Sequence, residues 1–233
     1  DALGQLEFRY AADADQFLTI AKFRAALPPR PRVRTPEPVG RGRTAVRKHS
    51  PEPGFRANMP HMGTILHGTL VTLRPATGED IPALAAIRGT PEVFSRWRGG
   101  DDLAGEVAND LESPGTETFA IDLGGKVVGA IQWYANNDDE YRHAGMDLYL
   151  DPTVHGLGLG TDAVRTMARY LVHEHHYHRL VIDPAADNLA AIRCYTKVGF
   201  RTVGTMRQYE RGADGSWHDN LLMDLLADEL LED

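Results

Sequence analysis

The chain has 233 residues, 42% of them apolar and 25% charged, which is ordinary globular composition with room for one large or two small domains. No apolar run approaches the roughly 20 residues of a membrane helix, and the N-terminus lacks the basic-then-apolar order of a secretory signal, so a cytoplasmic protein without a membrane partner is expected. The single cysteine, Cys194, excludes an internal disulfide.

The net charge of -8 conceals an asymmetry. Residues 1–58 hold 11 Lys and Arg against 6 Asp and Glu, whereas residues 59–233 hold 14 against 27. An acidic domain disfavours nucleic acid and suits a small polycationic substrate, although acidic surface also serves solubility alone.

From the N-terminus, residues 11–24 have the spacing of an amphipathic helix, with Phe17, Ile20 and Phe23 near one face. This piece resembles a short stretch of methylmalonyl-CoA mutase subunits and is too short for their activity. Residues 27–60 are Pro- and Arg-rich and have almost no periodicity, as in Pro28-Pro29-Arg30-Pro31-Arg32. Residues 1–61 are therefore expected to be a fused or read-through leader, with the start at Met59 or Met62, and residues 62–233 to be the folded domain; the rival reading is a genuine basic tail that docks onto the acidic domain.

The run Thr69 to Pro75 predicts a strand, and Thr77-Gly78-Glu79-Asp80 a helix start ahead of Ile81, Leu84 and Ile87. Thr90-Pro91 opens a short helix, Asp101 to Leu111 reads as another, and Trp97 lies between them. Two β-rich runs, Glu117 to Leu123 and Lys126 to Tyr134, flank Gly124-Gly125, a hairpin signal. The following loop carries Asp138, Asp139 and Glu140. It leads into the strand Met146 to Leu150, which places these acids near a cleft mouth in this reading.

The segment His155-Gly156-Leu157-Gly158-Leu159-Gly160-Thr161 then runs into a helical pattern over 162–171. Glycines allow N–H groups to turn inward, and the helix start adds orphan donors and a positive dipole end, so the segment reads as a phosphate cradle. His173, His175, His176 and His178 at the helix end do not have zinc-protease spacing and suit the helix dipole instead; no metal is expected. Leu180 to Ile182 is a further strand, Arg201 to Glu210 and Trp217 to Leu226 a terminal antiparallel pair, and 228–233 a frayed end.

The cradle resembles the Gln/Arg-x-x-Gly-x-Gly/Ala loop of the GNAT N-acetyltransferases. Asn188 to Phe200 resembles their second signature, Asn-x-x-Ala-x-x-x-Tyr-x-x-x-Gly-Phe. His155 departs from the usual Gln or Arg, a mild change in a loop that works through backbone donors. The phrase from Asp183 to Phe200 is similar to the aminoglycoside 6'-N-acetyltransferases of the plasmid-borne resistance type, and the likeness covers roughly residues 68–210. The ending Asp214 to Leu225 is closer to the acetyltransferases of ribosomal-protein N-termini, which leaves a peptide or other small amine as an alternative acceptor.

The order β-α-α-β-β-β-α-β-α-β-β is too mixed for a doubly wound sheet. It agrees with the fold this resemblance implies: a mixed α/β domain with a twisted, mostly antiparallel sheet, helices on both faces and a V-shaped splay between two central strands. The resemblance further implies acetyl-CoA as co-substrate and a monomer or homodimer. It places the coenzyme against Leu150, His155, Gly156, Leu157, Gly158, Leu159, Gly160, Thr161 and Asn188. Thioester aminolysis needs a neutral amine and a proton for the leaving thiolate, for which Asp147 and Tyr195 are the candidates. Trp97, Asp139, Glu140, Asp147 and Asp183 are the expected contacts of a polycationic aminoglycoside. Cys194 is read as packing.

Overall fold

The computed structural model describes residues 63–97, 99–212 and 215–231. The leader expected over residues 1–61 lies outside the described residues.

Among the described residues, one sheet contains β1 (Leu66–His67), β2 (Thr72–Pro75), β3 (Thr116–Leu123), β4 (Lys126–Asn136), β5 (His143–Leu150), β6 (Arg179–Ile182), β7 (Arg201–Arg211) and β8 (Trp217–Leu226). Their spatial order is β1-β2-β3-β4-β5-β6-β8-β7, antiparallel throughout except for the parallel pair β5 and β6. The helices are α1 (Ile81–Arg88), α2 (Pro91–Phe94), α3 (Leu103–Glu112), α4 (Leu159–His173) and α5 (Leu189–Thr196).

Alternation along β5 divides the molecule into two faces. Ala144 and Met146 enter the main core with Phe119, Ile131, Met167 and Leu171. Tyr149 enters a second cluster with Leu84, Ile87, Val93 and Val107 from α1, α2 and α3. Gly145 and Asp147 share Tyr149's parity, so they face the same side as this second cluster. There Gly145 is required by packing: a Cβ at this position would lie inside the ring of Tyr134, its cross-strand partner on β4.

Helix α4 buries Leu159, Ala163, Met167, Tyr170 and Leu171 at helical spacing, which is why it lies flat on the main core. Asp162, in its first turn, accepts from the main-chain N–H groups of Thr69, Leu70 and Val71 at 3.0, 2.7 and 2.9 Å. One carboxylate thereby satisfies three donors between β1 and β2, each of which costs about 1–3 kcal/mol when buried without a partner. The start of the cradle helix is thus tied to the first strands of the sheet.

Two sequence expectations are corrected. The end of the chain is docked rather than frayed as far as Leu231: Arg165 donates to the carbonyls of Leu231 and Lys197 at 3.0 and 3.2 Å, and the Leu231 N–H bonds Val198 O at 3.0 Å. Leu230 also packs on the core. In addition, β1 precedes the first predicted strand. The histidine tract serves packing at one position, where the buried His175 ring lies 4.8 Å from Trp133 and 4.6 Å from Tyr170.

Candidate active site

Strands β5 and β6 pair only at Ala144 with Leu180 and at Gly145 with Val181. Beyond that point β5 stays bonded to β4 as far as Leu150 opposite Gly129, and β6 stays bonded to β8 as far as Ile182 opposite Met223. Each strand keeps its outer neighbour while the inner edges part, and this is the predicted splay. Main-chain groups on the opened edges of residues 146–150 lie where an amide-bearing ligand finds partners.

The cradle stands at the end of β5. Gly158 is the N-cap of α4 with φ of 85°, a left-handed conformation that L side chains rarely adopt. The first bond entering the helix runs from Asp162 N–H to Gly158 O at 3.0 Å, so the N–H groups of Leu159, Gly160 and Thr161 have no acceptor within the helix. His155 braces the loop by bonding through its Nε2 to Leu150 O at 3.1 Å, with its own ring and the 156–158 segment exposed. The Thr161 hydroxyl donates to Cys194 Sγ at 3.4 Å, so the side chain expected to meet pyrophosphate bonds the neighbouring helix and leaves the anion to the backbone. These donors and the open glycines fit a pyrophosphate.

Asp147 and Asp183 flank the splay on one face, since Asp183 shares the parity of Val181, the partner of Gly145. Both are half-buried. Burial pushes the Asp147 carboxyl up to about 7; the charges of Asp183 and Glu210 add to this, and a hydrogen bond from Gln132 opposes it. Burial pushes Asp183 up to about 6, with a hydrogen bond from Asn220 opposing and Glu210 adding. Such carboxylates are poorly solvated and repel each other, an arrangement that a cation relieves.

Tyr195, on α5, is buried, and its phenol is held protonated well above the ordinary range by that burial, followed by Cys194, Asp147 and Asp183. Asn188 caps α5, its Oδ1 accepting from Ala191 N–H at 3.2 Å, so the signature asparagine has a structural task at this position. Trp97 packs edge-on to Tyr149 at 4.9 Å and lines a recess with Leu84, Val107, Asp110, Thr118 and Gln132, on the face that carries Asp147. Leu150 approaches the cradle closely enough that a Cβ on Gly160 would sit 3.3 Å from its Cδ1.

Asp139 and Glu140 are not brought to this site. Their loop turns at the Asn136 and His143 end of the hairpin, opposite to the end of β5 that meets the cradle. It is anchored there by Arg142, which donates to the carbonyls of His176 and His175 at 2.7 and 2.8 Å. The loop precedes β5 in sequence, but the strand's length separates it from the cradle.

The model of the Acetyltransferase (GNAT) domain matches residues 71–201, which span both the splay and the cradle. The chain belongs to the GNAT acetyltransferase family. It is therefore an acyltransferase, and enzymes of this family use acetyl-CoA. Aminoglycoside N(6')-acetyltransferase type 1 of Klebsiella pneumoniae is 27% identical over 154 residues, covering 58% of this chain and 76% of that protein. The structure of AAC(6')-Ib in complex with parmomycin and acetyl-CoA superposes with a TM-score of 0.57 at 26% identity, covering 70% of this chain and 98% of that one. Mycobacterium smegmatis RimJ, in complex with CoA-disulfide, shares the fold with a TM-score of 0.62 at 22% identity, over 73% and 90% of the two chains.

The GNAT site also contains residues that the sequence reading missed. Gln132 stands directly across the ladder from Asp147 and hydrogen-bonds it. Glu210 and Asn220 arrive from the terminal strand pair beside Asp183. Asn220 was detectable in principle as a polar residue ahead of the apolar Leu221-Leu222-Met223, whereas Gln132 requires the β4–β5 register. No helix among the described residues is long and apolar enough to cross a membrane.

Proposed function

We propose that this enzyme transfers the acetyl group of acetyl-CoA to the 6'-amino group of aminoglycosides, and so acts in antibiotic resistance. The observation that carries the reading is the pair Asp147 and Asp183 on one face of the splay, two desolvated carboxylates next to a phosphate cradle. A substrate with several ammonium groups answers both. The likeness to an aminoglycoside N(6')-acetyltransferase supports the same assignment.

In this reading the backbone of 157–160, with Thr161 N–H, binds the pyrophosphate. Asn188 and the opened edge at Leu150 orient the pantetheine arm. The coenzyme, when bound, supplies an activated thioester. Asp147, oriented by Gln132, accepts the proton of the substrate ammonium and leaves a neutral amine; its midpoint of about 7 suits a base at neutral pH. Tyr195, kept protonated by burial, gives its proton to the departing sulfur. Asp183 holds a second ammonium, and Trp97 offers an aromatic wall for a sugar ring.

Thiol release from acetyl-CoA tests the proposal with kanamycin, an aminoglycoside lacking the 6'-amino group, and a panel of N-terminal peptides. Release with kanamycin alone is the expected result. Release with peptides and not with kanamycin transfers the function to protein N-termini, the acceptor suggested by the ending Asp214 to Leu225.

A further inference from the structure

We infer that Asn220 is the positioning residue of the amine site: its side-chain amide holds Asp183 and Glu210 together and so fixes where a second ammonium binds. The inference rests on the polycation reading above.

Asn220 lies on β8 at 4% exposure, in a strand that continues as Leu221-Leu222-Met223. Its Nδ2 donates to the main-chain oxygen of Asp183 at 2.9 Å, and it reaches Asp183 Oδ2 at 3.4 Å and Glu210 Oε2 at 3.5 Å. The backbone beneath is fixed. Asn220 bridges Ala185, Leu221 N–H bonds Pro184 O at 2.8 Å, and Ala186 N–H bonds Asp219 O at 2.9 Å.

Glu210 reaches this amide through a bulge. Met206 stands opposite Asn220 and Glu210 opposite His218, so β7 advances four residues while β8 advances two. Gln208 absorbs the difference with φ of 50°, and its N–H is held by Asp219 Oδ1 at 2.7 Å. Because the excess is even, Glu210 stays on Asn220's face of the ladder.

An NH2 has two protons, and the Asp183 carbonyl takes one, so two carboxylate oxygens compete for the other at long range. A neutral donor orients the Asp183 carboxylate without neutralising it, which suits that oxygen to a substrate ammonium. The Oδ1 of Asn220 is itself buried without a hydrogen-bond partner, an oxygen suited to a donor arriving with the amine. The ionisable groups that face Asp183 are Asp147 on β5, Glu210 on β7, Tyr134 on β4 and Tyr195 on α5.

The experiment begins with the intact wild-type protein. The side-chain amide signals of Asn220, followed by NMR from about pH 4 to about pH 9, are expected to move with the ionisation of Asp183, and to do so at a lower pH in Glu210→Gln, which removes a charge that raises the Asp183 midpoint. A flat response overturns the inference. In Asn220→Leu and Asn220→Asp, the Michaelis constant for kanamycin should rise about tenfold or more, with that for acetyl-CoA and the saturated turnover within about twofold. Equal losses toward both substrates, or none, also overturn it. If the wild type leaves kanamycin unmodified, the polycation reading fails, while the amide titration still decides the role of Asn220.

Discussion

Asp147 on β5 and Asp183, the first residue past β6, stand on the same side of two strands that separate just beyond Gly145 and Val181. Burial raises both carboxyls, to about 7 and about 6; the Asp183 charge adds to the rise at Asp147, and Glu210 adds at both. This pairing joins the opening of the fold to the chemistry proposed for it. It also makes separate roles testable. Asp183→Asn should raise the Michaelis constant for an aminoglycoside about tenfold and spare that for acetyl-CoA. Asp147→Asn should lower turnover as well, and should remove the rise of kcat/KM with pH through about 7. Steady-state kinetics over a pH series checks both, and unaltered constants in both variants would return the pair to solvated surface.

The same pair should weaken the fold at high pH. Both acids have folded midpoints above the ordinary carboxylate value of 3.8, so between about pH 4 and 7 the native state binds more protons than the unfolded state and stability falls as pH rises. At low pH both forms are protonated and the penalty disappears. Asp147→Asn should therefore be more stable than the wild type by about 1–3 kcal/mol at pH 8, and equal to it near pH 4. Denaturant melts at the two pH values measure the difference; the opposite sign would show that Asp147 is stabilised as a carboxylate.

At the cradle, Gly158 has a left-handed backbone at the mouth of α4, so Gly158→Val imposes strain and a branched side chain where an anion must approach. Acetyl-CoA affinity measured by calorimetry should fall at least tenfold, with the far-ultraviolet spectrum retained. Undiminished binding would move the coenzyme away from this loop.

For Tyr195, the Phe variant deletes one buried hydroxyl and keeps the ring that packs 6.2 Å from Phe200. A proton donor lost in this way should cost roughly 10²-fold in turnover with little change in either Michaelis constant. Full turnover would leave Tyr195 a core residue.

The sequence by itself determined the local and periodic features: the helical spacing of Leu159 to Leu171, the Gly124-Gly125 hairpin, the glycines entering α4, and the signature around Tyr195. These are legible because turn chemistry and burial periodicity are encoded within a few residues. Only the tertiary structure decided which carboxylates meet. Asp139 and Glu140 are close to β5 in sequence, yet they lie at the opposite end of the strand from the cradle. Glu210 and Asn220, far along the chain, join Asp183 through the ladder of β8 and a bulge at Gln208. A strand transmits alternation of faces to its sequence, but its partner, register and bulges depend on backbone bonds between distant segments, and those bonds leave no local mark in the residues they connect.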